Sequence, residues 1–237
     1  MQYARAMGAD MNLHKHQRTL DTILVVGAPL SLAVLELFHP HPHDLLTLDV
    51  GTWLAVHYVQ ILLFPLVAVA MIVLLRGQVD IAAMLSRVAA FVFGASYVAF
   101  DTAAGIVTGI LVKSAHASGA PEAWRAPIDV IWTHPIVGGS SSSSAPFLAV
   151  LGSIALSVAA VTAAISLKRT GSSWGPLVLL SLSTFGIAIF KTHAWPGGPL
   201  TFGGIALAAA WLSWERAGRA SAGSGSVAKH DAARDAR

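Results

Sequence analysis

The chain has no cysteine and few charges, and each scarcity removes a class of protein. Without cysteine there can be no disulfide, thiolate metal site, iron–sulfur cluster or covalently attached c-type haem. Only 11% of the residues are charged, against about 25% in an average soluble domain. No segment alternates apolar and polar residues as the strands of a membrane barrel do. The sequence also lacks a His-Glu-x-x-His zinc helix, a Gly-x-Ser-x-Gly elbow and a phosphate-binding glycine loop. Histidines three or four apart within one apolar segment, the pattern of carboxylate-bridged metal bundles, are missing too.

What is abundant is apolar, 55% of 237 residues. Six apolar segments cover about 22–38, 52–75, 86–112, 146–167, 175–190 and 199–214. About 20 residues of helix cross the hydrocarbon of a bilayer, and a spanning backbone must satisfy its own hydrogen bonds. The expected fold class is therefore all-α, a polytopic integral membrane bundle of six transmembrane helices. Pro29 and Pro65 fall inside spans, where proline is expected to kink a helix.

Twelve lysines and arginines share one side of this arrangement: Arg5, Lys15, Arg18, Arg76, Arg87, Lys168, Arg169, Arg216, Arg219, Lys229, Arg234 and Arg237. Only Lys113, Arg125 and Lys191 fall on the other. The positive-inside rule then places both termini in the cytoplasm of a multi-pass cell-membrane protein. Trp211 and Trp214 end the last span, where an aromatic belt is expected. The net charge of +3 reads as topology, because the basic residues flank apolar segments instead of forming a patch. Nucleic acid is not an expected partner; the lipid bilayer is. Arg5, Lys15 and Arg18 precede the first apolar run as in a signal sequence. No small-x-small cleavage site follows at Leu35-Glu36-Leu37-Phe38, so an uncleaved first span is expected.

The domain plan is a cytoplasmic segment 1–21, a six-span domain 22–214 and a disordered cytoplasmic tail 215–237, rich in Ala, Gly, Ser and charge. An external loop, 113–145, is long enough to be functional or disordered. Within it Ile128 to Trp132 are expected on the membrane surface, and Ser140 to Ser144 as a flexible hinge. Such loops could dock a protein partner. The sequence carries no signature of an oligomer.

Histidine is distributed unevenly. Seven of ten face outward on this topology: His39, His41, His43, His57, His116, His134 and His193. Imidazoles beside the carboxylates of Glu36, Asp44, Asp49, Glu122 and Asp129 suit a transition metal, or axial ligation of haem b. In His39-Pro40-His41-Pro42-His43 an extended strand would make the imidazoles converge. A polyproline helix would fan them apart into a stiff, solvated loop. Trp53, His57, Gln60 and Phe64 share one helical face, and His57 reads as shallow, about 6 Å beyond Trp53.

Asp101 lies about 17 Å from the external end of its span by helix rise, and a carboxyl at that depth must face protein or water. Tyr97, Asp101, Gly105 and Thr108 form one stripe, and Gly105-x-x-x-Gly109 permits close helix approach. Asp101 reads as an interhelical hydrogen-bonding group, a proton or cation relay, or a partner to a metal site. His193 precedes Pro196-Gly197-Gly198-Pro199, which forces a sharp re-entry into the last span. The expected metal candidates are His57, His193, Glu36, His39, His41 and His43, with His134 and His116 as loop candidates. Asp101, Tyr97 and Gln60 are the intramembrane polar residues. His57 and His193 are expected within side-chain reach, with Glu36 or a histidine of the proline-rich loop nearby. No reaction is legible. A small permease using Asp101, or a non-catalytic scaffold or accessory subunit, stands beside the metal or haem site.

Overall fold

The computed structural model describes residues 2–41, 43–139 and 145–235, with side chains from 16 to 219. Pro42 and the Ser140–Ser144 run lie outside these residues, and with them the expected hinge. Among the described residues every regular element is helical. The long helices are α1 (Gln2–Leu35), α2 (Val50–Leu74), α3 (Ile81–Phe100), α6 (Phe147–Arg169) and α9 (Gly197–Asp235). A π-helical stretch, Asp101–Val107, joins α3 to α4 (Thr108–Ala117). The shorter α5 (Arg125–Trp132), α7 (Trp174–Ser183) and α8 (Gly186–Phe190) complete the set.

Four stretches are long and apolar enough to cross a membrane: His16–Phe38, Val50–Leu74, Ile81–Ala117 and Phe147–Arg169. Trp174–Phe190 is a shorter apolar segment, interrupted at Thr184–Phe185 between α7 and α8. α1 and α2 run through Pro29 and Pro65.

Carboxylates start the helices. The Asp49 side chain accepts from the amides of Gly51 and Thr52 to open α2, and that of Asp80 from Ala82 and Ala83 to open α3, satisfying amides that have no partner within the helix. The neighbour order α1–α2–α3–α6–α7–α9 closes back onto α1. Small residues permit the α3–α6 contact: Ala83, Ala90, Ala159, Ala160 and Ala163 are fully buried. At mid-height Phe64, Phe93 and Phe202, none with exposed surface, stack at 6.0–6.4 Å between ring centres.

Residues 113–139 differ from the loop expected over 113–145. Nothing breaks the third helix before Gly119, whose φ of +71° ends it in the left-handed conformation that glycine adopts without strain. Lys113 and His116 are therefore helical. The Ile128–Trp132 stretch lies in α5, which roofs one end of the bundle. Ile128 is buried in a cluster with Leu45, Leu48, Trp53, Leu54 and Val112. Burying an apolar face on the bundle end outweighs spreading it on a surface. Arg125 holds the roof to the 39–49 connection, with two hydrogen bonds to Asp44 at 3.0–3.1 Å and two to Glu122 at 2.8–2.9 Å.

Candidate metal centre

The site lies beneath this roof and is built where α1 stops. A 3-10 turn, Glu36–Phe38, tightens the last residues, burying Glu36 fully while Leu37 and Phe38 remain exposed. His39 is extended (φ −69°, ψ 119°), as the proline that follows requires. Its Nδ1 lies 2.9 Å from the Pro40 carbonyl oxygen. A carbonyl only accepts, so Nδ1 carries the proton and Nε2 presents a lone pair. On α2, His57 Nδ1 donates to the Trp53 carbonyl at 2.7 Å, fixing the same tautomer. One turn further, Gln60 Nε2 donates to Glu36 Oε1 at 2.8 Å and leaves Oε2 unpaired.

His193 comes from the connection between α8 and α9. Gly198 is what brings that connection close: a Cβ there would sit 1.6 Å from the His193 carbonyl oxygen and 2.9 Å from Glu36 Cγ. The His39 ring stands edge-on to two others, 4.9 Å from His57 and 5.0 Å from His193. One ligand atom from each of Glu36, His39 and His193 falls within 4.8 Å of the other two. This cluster could hold a metal ion. Glu36 Oε2, His39 Nε2 and His193 Nε2 are all buried without a hydrogen-bond partner, an expensive condition for polar atoms unless something else satisfies them. Burial pushes the His39 imidazole down to about 3 and holds that of His193 well below its ordinary value. Both are thus neutral, the form that ligates metal.

Beside the cluster, His57 Nε2 faces Asp101 Oδ1 at 3.7 Å, too long for a hydrogen bond. Neither Asp101 oxygen has a partner among the described residues. Asp101 faces protein, with 1% of its surface exposed, and it lies level with His57. The roof accounts for this depth. Because α4, α5 and the Leu45–Thr47 turn cover the start of α2, His57 is not at a solvent boundary. The expectation of a shallow His57 is corrected on this point.

The π-helical stretch keeps the stripe read from the sequence inside the bundle, with Tyr97, Asp101, Gly105 and Thr108 all buried. Ala104 is buried too, and the Gly105 carbonyl accepts from Trp53 Nε1 at 2.7 Å. Gly105 and Gly109 lie against α2: a Cβ at Gly105 would be 1.7 Å from His57 Cδ2, and one at Gly109 2.7 Å from Trp53 Cδ1. The sequence marked this pair as a helix-packing motif, and what the packing admits is the imidazole itself. Tyr97 bonds Ser153 at 2.9 Å, outside the ligand cluster.

The remaining histidines divide. His41 is exposed, 5.9 Å from His39 ring to ring, and does not complete the cluster. His43 is exposed, and no ligand cluster among the described residues includes it. His116 Nε2 donates to the Leu46 carbonyl at 2.8 Å, and His134 Nδ1 accepts from the Ile136 amide at 3.2 Å. Those two hold connections in place. Comparison with protein families, curated proteins and solved structures gives no match.

Proposed function

We propose that the chain is a multi-pass cell-membrane protein with six spans and cytoplasmic termini, carrying a transition-metal centre at the external end on Glu36, His39 and His193. The observation that carries this is the convergence of three buried, unpartnered ligand atoms, one carboxylate and two imidazoles. Their supports are those of metal ligands: Nδ1 of His39 on a carbonyl, Glu36 on an amide. Zinc holds its donors at about 2.0–2.2 Å, which puts ligand atoms roughly 3–4 Å apart, so a small inward movement closes the cluster on an ion. A divalent cation would also offset a carboxylate that lipid depth otherwise disfavours.

Topology has support of its own. Arg87 and Arg216 donate to the carbonyls of Leu75 and Leu74, and Arg169 and Arg219 reach Asp80 and the Gly171 carbonyl. These arginines thus gather at the bundle end opposite the histidines.

Two imidazoles and one carboxylate leave coordination positions open, as catalytic centres do. With zinc such a centre would polarise a bound water; with ferrous iron Glu36, His39 and His193 would supply the two imidazoles and one carboxylate of a facial triad. Haem b fits less well, since edge-on packing of His39 against both neighbouring rings leaves no flat slot between imidazoles. A permease needs a polar path to the far end, and the Phe64–Phe93–Phe202 layer closes the interior below the site.

The test is metal analysis of the purified full chain. About one zinc or iron per chain is expected, at the three-ligand stoichiometry. Glu36→Gln, His39→Ala and His193→Ala should each lose most of it, whereas His43→Ala should not. Equal metal content in all five proteins would overturn the assignment.

A further inference from the structure

A cavity of about 1170 Å³ adjoins the cluster, with His39, His41, Lys191 and His193 at one end. Away from that end it follows α6, where Ala149, Ser153, Ser157 and Val161 form one side. Spaced four residues apart, they trace a line about 18 Å long at helical rise. Ser153 and Ser157 do not make this wall polar, because each hydroxyl donates to its own helix, to the carbonyls of Ala149 and Ser153. The cavity also reaches the flank of the bundle. Ile154, Val158 and Phe185 line it and are 57%, 43% and 42% exposed. At the polar end Lys191 adopts φ +55°, a conformation that costs a non-glycine residue energy. No carboxylate pairs with its ammonium among the described residues.

We infer that this groove binds a single-chain amphiphile with an acidic headgroup, which enters sideways from the bilayer. Its tail lies along α6, and its headgroup reaches Lys191 beside the cluster. An apolar trough of that length suits an extended hydrocarbon chain, and a cation at its one polar end selects an anionic head. A flank opening admits a molecule dissolved in lipid. The inference rests on the metal reading only for what the ligand would meet; binding itself does not require the metal.

The full chain in phosphatidylcholine nanodiscs would be exposed to palmitic acid bearing a mid-chain photoactivatable diazirine. Labelling should be saturable, competed by unlabelled palmitate, and concentrated on the α6 peptide containing Ser157. Ser157→Trp and Val161→Trp should weaken it about tenfold, or 1.4 kcal/mol, with metal content unchanged in the same samples. Lys191→Gln should weaken labelling by the acid but not by the matching diazirine alcohol. Labelling no stronger than on the exposed Phe91 flank of α3, or not competed by palmitate in the wild-type chain, would overturn the inference. So would a groove filled by a second copy, seen as an α6–α6 cross-link. Metal-free protein that still labels defeats the metal reading alone; metal-replete protein that does not label defeats this one alone.

Discussion

A single methyl group at Gly105 would decide the site, since its carbon would stand 1.7 Å from the His57 ring. The ring cannot retreat, because it packs against Trp53 and His39 and its Nδ1 is tied to the Trp53 carbonyl. Gly105→Ala should therefore cost about 1–3 kcal/mol, as overpacking does, and lower the melting temperature in detergent. An unchanged melting curve would mean that His57 is more mobile than its contacts imply. Asp101 poses a different question at the same scale. If it orients His57 beside a bound ion, Asp101→Asn should fold normally and weaken metal affinity about 10–100-fold, the usual effect of an outer-shell change. Unchanged affinity would leave Asp101 as a packing group.

Among the elements, the π-helical stretch and α2 depend on one another through the Trp53–Gly105 hydrogen bond. A π-helical turn is rare and tends to mark functional positions. Here it keeps Asp101 and Gly105 both turned toward α2. Trp53→Phe would preserve most of the ring and remove one of two donors to the Gly105 carbonyl, which the Thr108 amide also reaches, at about 0.5–1.5 kcal/mol. Chemical denaturation should show that loss. A matching drop in metal content would tie the π-helical stretch to the site, while a change in stability alone would limit it to packing.

For the whole molecule, the first prediction concerns orientation. A reporter active only outside the cytoplasm should be inactive when fused to the tail and active when inserted near Ser142. The reverse pattern would place the histidine cluster on the cytoplasmic side. The second concerns acid. Asp80 is held below its ordinary value of 3.8 chiefly by the Ser166 hydroxyl, then by amides of α3 and by Arg169. A lowered folded-state value means that this carboxylate stabilises the bundle above the unfolded value and loses its effect as pH falls through the lowered one. Ser166→Ala should thus lower stability at pH 7 and raise the midpoint of acid denaturation, the difference fading below the folded value. A midpoint that stays fixed or falls would deny Asp80 that role.

The apolar runs by themselves determined an all-helical chain with membrane-length segments, because hydrocarbon imposes length and composition on any helix that crosses it. They also marked Glu36, His57 and His193 as groups at one end, since position along a span gives depth. Which of them meet depends on neighbours, and only the folded chain decides that. His39 joins them while His41 and His43 do not, because the 3-10 turn and the following proline aim one imidazole inward. Periodicity could not foresee the π-helical stretch, which breaks the very period being read. Nor could it show that residues 113–132 roof the site. Their short helices carry too few apolar residues to stand out, and they are fixed by burial of Ile128 and by the Arg125–Asp44 contact between segments 81 residues apart. The groove along α6 is the least legible feature, because small and hydroxyl residues look alike whether they face another helix or line a space.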